Sequence, residues 1–491
     1  MPRTPHAGHD ALVSFRHELY GTFTAWGDAL FELCDATLCA PGSVLSVPAL
    51  SLEPEFSRSH GSLYKALAKG RIDEDRLRRL LVQARPGNWP LVFAVDASVW
   101  ARSDAETSPG RGFYHSASRH SAGQPIVAGW SYQWVSQLSW ANDSWSAPLD
   151  AMRVTPGTDA TTATIDQVRR LAGLLPAAGE VPLFVFDAGY DPIAIGHELV
   201  GERVEVLCRI RDDRVFYADP PARPNRPPSS GGRPPRHGTR SKCSDPASWR
   251  AADARLCTHD PRYGTVKVSA WHGLHPRLSG RGHWSHHAKP PIVRGSVIRV
   301  DVEHLPKPGG QAKKTLWLWW SGEEEPDLER CVRAYLHRFD IEHGFRFQKG
   351  TLGWTTPSVC TPAQADRWTW LIVAAYTQLR LARGLVADLR LPWERPRDPQ
   401  LLTPCRVRRG FRRLRATIGT PASPPKSTTP GPGRPKGTRR PPRTRYPVFV
   451  VCTHNEASLL LRSLRSCQQR IGGSDGAVEL HTLAGRCAYR G

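Results

Sequence analysis

The sequence has no apolar run long enough to cross a membrane. Its most apolar helical stretch, WTWLIVAAY at 368–376, is far short of the roughly 20 residues a span requires. The opening MPRTPHAGHD is polar and carries an acid, with no apolar segment behind it, so no secretory signal is expected. The 11 cysteines include no Cys-x-x-Cys pair, and Cys34 and Cys39, the closest two, have no histidine nearby at zinc-ligand spacing. An odd count in a large chain reads as reduced thiols of a cytoplasmic protein, mostly buried as small apolar residues. Cys257 and His259 are two ligands, and two ligands make no metal site. No repeat at solenoid spacing occurs. Acid is also scarce: 45 Asp+Glu face 67 Lys+Arg, a net charge of +22.

What is present is a chain of 491 residues, 40% hydrophobic and 23% charged. That length gives about three domains or one large elaborated core, which excludes a disulfide-stapled mini-protein. The composition is ordinary globular usage, which excludes a wholly disordered chain. The 44 Pro and 42 Gly imply long irregular stretches. The charge calls for a polyanionic partner, nucleic acid first and an anionic membrane second, and the membrane reading is set aside with the missing span and signal; a nucleoid-associated location is the expectation that goes with nucleic acid.

Residues 10–85 read as helices, with apolar residues at mixed three and four spacing, ended by ARPGNWP. LVFAVDASVW (91–100), the 126–140 stretch, VPLFVFDAGYD (181–191) and VEVLCRIR (204–211) read as strands. A helix with a Thr/Asp-rich start lies at 158–175. The alternation predicts an α/β core. Strand patterns return at 263–272, 292–302 and 315–320, and helices are expected at 328–350 and 362–386. The segment from Pro220 to Lys242 has six basic residues and no acid, and reads as a Pro-rich loop. Residues 404–415 hold six Arg, and 421–447 is a Pro/Gly-rich basic tail. The expected divisions are 1–88 (helical, a candidate DNA-binding region), 89–215 (core, first part), 216–312 (insertion), 313–403 (core, second part) and 404–491 (Arg-rich segment and disordered basic tail). From 449 the composition turns mixed, which suits a small appended helix or a frame-shifted extension.

Three carboxylates stand out. Asp96 and Asp187 each interrupt an apolar strand pattern that otherwise implies burial. A buried carboxylate is costly unless it is paired, hydrogen-bonded or metal-bound. One such Asp is commonly a turn cap; two in separate strands point towards a metal site at adjacent strand ends. The third, Glu342, lies in the 328–350 helix with Tyr335, Arg338 and Lys349. On a regular helix these four fall within about a 60° arc, a stripe extending about 21 Å. The competing explanation is a solvated, ion-paired face.

YLHRFDIEHGFRFQK resembles, without a gap, the Tyr-x2-Arg-x3-Glu-x6-Lys signature of a large group of DDE insertion-sequence transposases. DASVW resembles that group's first-Asp motif and DAGYD its second, in the same order. The resemblance implies a ribonuclease-H-like mixed sheet with flanking helices and a mainly β insertion between the second Asp and the Glu. It implies catalytic and metal-holding roles for Asp96, Asp187 and Glu342, with two Mg2+ ions, Mn2+ being a substitute. Tyr335, Arg338 and Lys349 would contact DNA phosphates. The partners would be double-stranded DNA, as terminal inverted repeats and target, and a second copy of the chain in the DNA complex. A nuclease on the same core that cuts without joining, and an inactive DNA-binding derivative, remain as alternatives. A glycosidase with paired carboxylates in a Trp-lined cleft is disfavoured by the charge, since neutral sugars gain nothing from it.

Beyond the core, Arg408, Arg409, Arg412 and Arg413, with Arg434 and Lys436 of PGRPKG, are candidates for phosphate neutralisation. PGRPKG resembles part of an AT-hook but lacks its leading Arg; a solvated linker fits the same composition. Trp317, Trp319, Trp320, Trp368 and Trp370 are expected in the core. Trp271 and Trp284, set among histidines, are the candidates for stacking on a base.

Overall fold

A computed structural model describes residues 5–115, 126–141, 143–221, 235–305, 314–427, 435, 437 and 442–449. The first block is helical: α1 (Pro5–Tyr20), β1 (Phe23–Ala25), α2 (Gly27–Cys39), α3 (Val47–Leu50), α4 (His60–Lys69), β2 (Arg71–Ile72) and α5 (Glu74–Gln83). The β1–β2 ribbon is antiparallel. Next come β3 (Val92–Ala101), β4 (Gly112–His115), β5 (Ile126–Leu138), β6 (Ser146–Val154), α6 (Ala160–Ala172), β7 (Leu183–Phe186), α7 (Pro192–Glu198) and β8 (Glu205–Ile210). A small ribbon, β9 (Val215–Tyr217) with β10 (Arg240–Lys242), precedes four long strands: β11 (Ala254–Asp260), β12 (Gly264–Leu274), β13 (Gly295–Val302) and β14 (Thr315–Ser321). The chain then forms α8 (Leu328–His337), α9 (Asp340–Gly350), α10 (Pro362–Ala382) and α11 (Pro404–Ile418).

One ten-stranded sheet organises the molecule, in the order β11-β12-β13-β14-β8-β7-β3-β5-β4, with β6 also paired to β5. Strands β3, β7 and β8 run parallel to one another, and the other pairings are antiparallel. The run β6-β5-β3-β7-β8 is the ribonuclease-H-like arrangement. The strands of the insertion continue that sheet, because β14 pairs with β8 along Trp317–Ser321. Parallel β7 reads as LFVF, buried at all four positions, as a strand covered on both faces must be.

Local chemistry sets the helix starts. Asp159 accepts from the Thr162 amide at α6, and Asp191, ahead of Pro192, caps α7. Helix α10 opens on a capping box of Thr361 and Gln364, and its WTWLIVAAY stretch is apolar on nearly every side. A helix apolar all round must be surrounded. Accordingly α10 lies between β6 and the helices α1, α2, α4, α5 and α11. The five tryptophans expected in the core are buried.

Two expectations are corrected. The 328–350 helix is broken after His337. There Arg338 N bonds Tyr335 O (3.2 Å), Ile341 N bonds Arg338 O (3.2 Å) and Glu342 N bonds Phe339 O (3.0 Å), a tightening to i→i+3 spacing. The Arg-rich 404–415 segment is no part of a basic tail: it forms α11 and packs on α2 and α10. Residues 222–234 of the Pro-rich loop and most of the chain after 427 lie outside the described residues.

Candidate active site

Strand register brings the first two carboxylates together. Val95 pairs with Phe186, so Asp96 and Asp187, one position on, stand side by side where β7 ends. Beyond that point β3 continues to Ala101 with β5 as its one strand neighbour among the described residues. On its other edge Lys349 Nζ donates to a backbone carbonyl, Val99 O, at 3.3 Å. Each Asp is oriented by a short local bond: Asp96 Oδ1 accepts from Ala97 N (2.8 Å) and Asp187 Oδ1 from Ala188 N (2.7 Å). The turn after Asp187 is braced from β8, where the buried Cys208 thiol donates to Asp187 O at 3.1 Å.

The break between α8 and α9 delivers the third carboxylate and a cation. Arg338 Nη1 donates to Asp96 Oδ2 at 3.2 Å, and Nη2 lies 4.0 Å from Asp187 Oδ2 and 3.9 Å from Glu342 Oε1. A single guanidinium thus sits among carboxylates from three distant parts of the chain. Asp96 is the most enclosed of the three, with 21% of its side chain exposed against 43% for Asp187 and 41% for Glu342. Burial raises the Asp96 carboxyl above its ordinary pKa, opposed by Arg338 and the Ala97 amide and helped by Asp187. Glu342 is raised by burial and by Asp96. Burial works against the Arg338 charge, but Asp187, Tyr335, Asp96 and Glu342 together hold its pKa above the usual value.

The remaining residues of the signature lie behind this centre. The Tyr335 ring is 5.8 Å below the Arg338 guanidinium, and Lys349 lies 5.5 Å over the Trp354 ring. Burial raises the Tyr335 phenol and lowers the Lys349 ammonium. Two basic residues that sequence reasoning did not single out are exposed here: Arg209, facing Tyr335, and Arg346, facing Glu342. Their only signal is placement, Arg209 as a charge in the buried run of β8 and Arg346 four positions after Glu342.

Three carboxylates with no thiol or imidazole among them are the donor set of a hard divalent cation. Among the described residues no three His, Cys, Asp or Glu side chains lie close enough as they stand to hold an ion. Asp96, Asp187 and Glu342 are spaced around the guanidinium instead.

Other candidates are placed differently. Trp271 and Trp284 are not available to a base. Both are buried in a second core on the α7 side of the sheet, and Trp271 Nε1 donates to Arg250 O at 2.9 Å. Arg408 is buried and donates to Thr37 O and Gly42 O. Arg409 pairs with Glu394 at 2.6 Å, and Arg412 pairs with Glu53 and with Glu55. Arg413 is exposed, and Arg434 and Lys436 lie outside the described residues. Cys257 and His259 are exposed on the edge strand β11. Among the described cysteines five are buried and three exposed, all free thiols. No described helix is long and apolar enough to cross a membrane.

A family model described as DDE superfamily endonuclease matches residues 18–277, more than half of the chain. The matched span contains Asp96 and Asp187 and ends before α8. No curated protein matches the chain.

Proposed function

The chain belongs to the DDE superfamily endonucleases, and on that premise we propose that it is an insertion-sequence transposase of the Tyr-Arg-Glu-Lys group. Such an enzyme binds the terminal inverted repeats of an element, cuts its strands and joins them to target DNA. The observation that carries this reading is the meeting of Asp96, Asp187 and Glu342 around one cationic centre at the end of a ribonuclease-H-like sheet.

Asp96, Asp187 and Glu342 are the residues that would hold divalent cations here. Mg2+ suits the donor set, with Mn2+ as a substitute. When bound, the ions lower the pKa of an attacking oxygen and stabilise the leaving one in an in-line displacement at phosphorus. The chain's own groups position the strand. Arg338 offers a planar fork for a phosphate, exposed Arg209 and Arg346 extend the positive surface, and Tyr335 backs the Arg338 side chain. Lys349 caps the edge of β3 beyond β7 and keeps the strand that bears Asp96 in place. Duplex DNA is the partner that the net charge suits, and two copies would act on the two element ends.

The test is a gel assay with the element's flanking DNA and Mg2+. Asp96→Asn and Glu342→Gln are each expected to abolish cleavage while DNA binding stays nearly unchanged. Either variant cutting at the wild-type rate would sink the assignment. Pre-cleaved ends offered to the wild-type protein separate a transposase, which joins them, from a nuclease, which does not.

A further inference from the structure

We infer that Arg338 and a divalent cation are alternative occupants of the space between Asp96, Asp187 and Glu342, and that a DNA phosphate decides between them by drawing Arg338 away. The identity of the cation and of the phosphate rests on the proposed function; the alternation rests on the placement of Arg338.

The three carboxylates share one guanidinium, at 3.2, 4.0 and 3.9 Å. A hard cation needs these same oxygens at about 2.0–2.1 Å. Drawing the oxygens in to that distance removes the room the guanidinium fills, and two positive groups held there together repel one another. Charge balance favours an exchange over a simple expulsion. An arriving phosphate gives the guanidinium a planar, bidentate partner, and the carboxylates it releases regain a counter-charge from the ion.

The backbone around Arg338 is built for two positions. It lies at the break between α8 and α9, where three bonds have tightened to i→i+3. Such a stretch inside a helix is a frequent hinge. On one side Asp340 is buried and bonded to His337 Nδ1 at 2.8 Å, which fixes the pivot. On the other, Phe339 is 47% exposed, so the outer side of the turn has space. The Tyr335 ring beneath the guanidinium supplies a surface along which the side chain can turn. Linkage then requires that DNA raise the affinity for the cation and that the cation raise the affinity for DNA.

The test uses the full chain and Mn2+, followed by the paramagnetic resonance of the free ion, first without DNA and then with a short duplex. Arg338→Gln removes the internal cation and is expected to tighten Mn2+ binding by about tenfold or more. Adding Asp96→Asn to that variant should cancel the gain. Unchanged Mn2+ affinity in an Arg338→Gln protein that still melts cooperatively overturns the inference, as does a gain that survives Asp96→Asn. Should Arg338→Gln fail to fold, Arg338→Lys replaces it. A single ammonium reaches fewer of the carboxylates, so a smaller gain is expected, and no gain overturns the inference. In the wild type a short duplex should raise Mn2+ affinity, and in Arg338→Gln it should add little; equal increases in both count against the exchange. Failure of the functional reading looks different: Glu342→Gln would still cleave while the competition between Arg338 and Mn2+ persisted.

Discussion

Arg78 Nε donates to Asp150 Oδ1 at 2.8 Å, with both side chains buried, and this pair joins α5 of the helical block to β6 of the sheet. Asp150 Oδ2 also accepts from Gln167 Nε2 at 3.1 Å, and its Oδ1 from Ala151 N at 3.0 Å. Arg78 also reaches Asp75 (2.7 Å) and Glu74 (3.2 Å), both exposed, while Asp150 itself is 2% exposed and bonded within the fold. Asp96 likewise shares its guanidinium with two further acids, but it is 21% exposed and stands open beside them.

The contrast predicts different outcomes for removing partners. Arg78→Leu leaves buried Asp150 without its hydrogen-bonded counter-charge, with Arg170 at 3.9 Å as the remaining cation, and should cost about 3–5 kcal/mol of stability. Urea unfolding of the variant measures this. Replacing Arg78 and Asp150 together with apolar residues should recover much of the loss. A single variant as stable as the wild type would mean that water reaches Asp150.

Arg408 offers a second test, of what the charge is for. It is buried and bonded to Thr37 O (3.1 and 2.9 Å) and Gly42 O (2.8 Å), and burial lowers its pKa to about 10. Arg408→Ala orphans those carbonyls and should destabilise the fold by about 1–3 kcal/mol. It should leave the salt dependence of DNA binding where it was. A loss of salt slope without a loss of stability would return Arg408 to the DNA-contacting set.

Arg434 and Lys436 are expected to behave in the opposite way. Changing both to Gln should leave the unfolding midpoint unaltered. It should flatten the plot of log affinity against log salt by about 0.9 for each phosphate that is no longer neutralised. A slope equal to that of the wild type would make the PGRPKG segment a spacer.

How much was legible follows from the range of the interactions involved. The strands bearing Asp96 and Asp187 were readable because burial on both faces writes a continuous apolar run, and a carboxylate in such a run is conspicuous. Strand β6 was missed because SAPLDAMRV carries Pro148 and Asp150. Pro148 is tolerated where the β5–β6 register shifts, and Asp150 is satisfied by Arg78 and Gln167. Both reasons lie outside the segment. The 404–415 arginines misled for the same reason: their partners Glu53, Glu55 and Glu394 are remote or unremarkable in sequence. The break at Arg338 contains neither Pro nor Gly, so no local residue announces it; the His337–Asp340 bond appears only in the fold.

Gly344 links that break to chemistry. A glycine inside a helix costs about 1 kcal/mol relative to alanine, so its presence in α9 calls for a packing reason. A Cβ at this position would lie 3.1 Å from Ser146 Oγ, at the start of β6. The glycine therefore lets α9 approach the sheet, and Glu342, two residues earlier, takes its distance to the other carboxylates from that approach. Gly344→Ala needs Ser146 to yield by a few tenths of an ångström, and the gain in helix propensity offsets much of the strain, so near-normal stability and modestly reduced cleavage are expected. Gly344→Leu cannot be absorbed in this way. It should push α9 outward and cost about 1–3 kcal/mol, and on the proposed function strand cleavage should fall much further than DNA binding, because an arginine reaching a phosphate would tolerate a shift that a carboxylate holding a metal would not. Cleavage and binding measured side by side on the two variants decide the point. Cleavage by Gly344→Leu at the wild-type rate would show that the position of α9 does not set the geometry of Glu342.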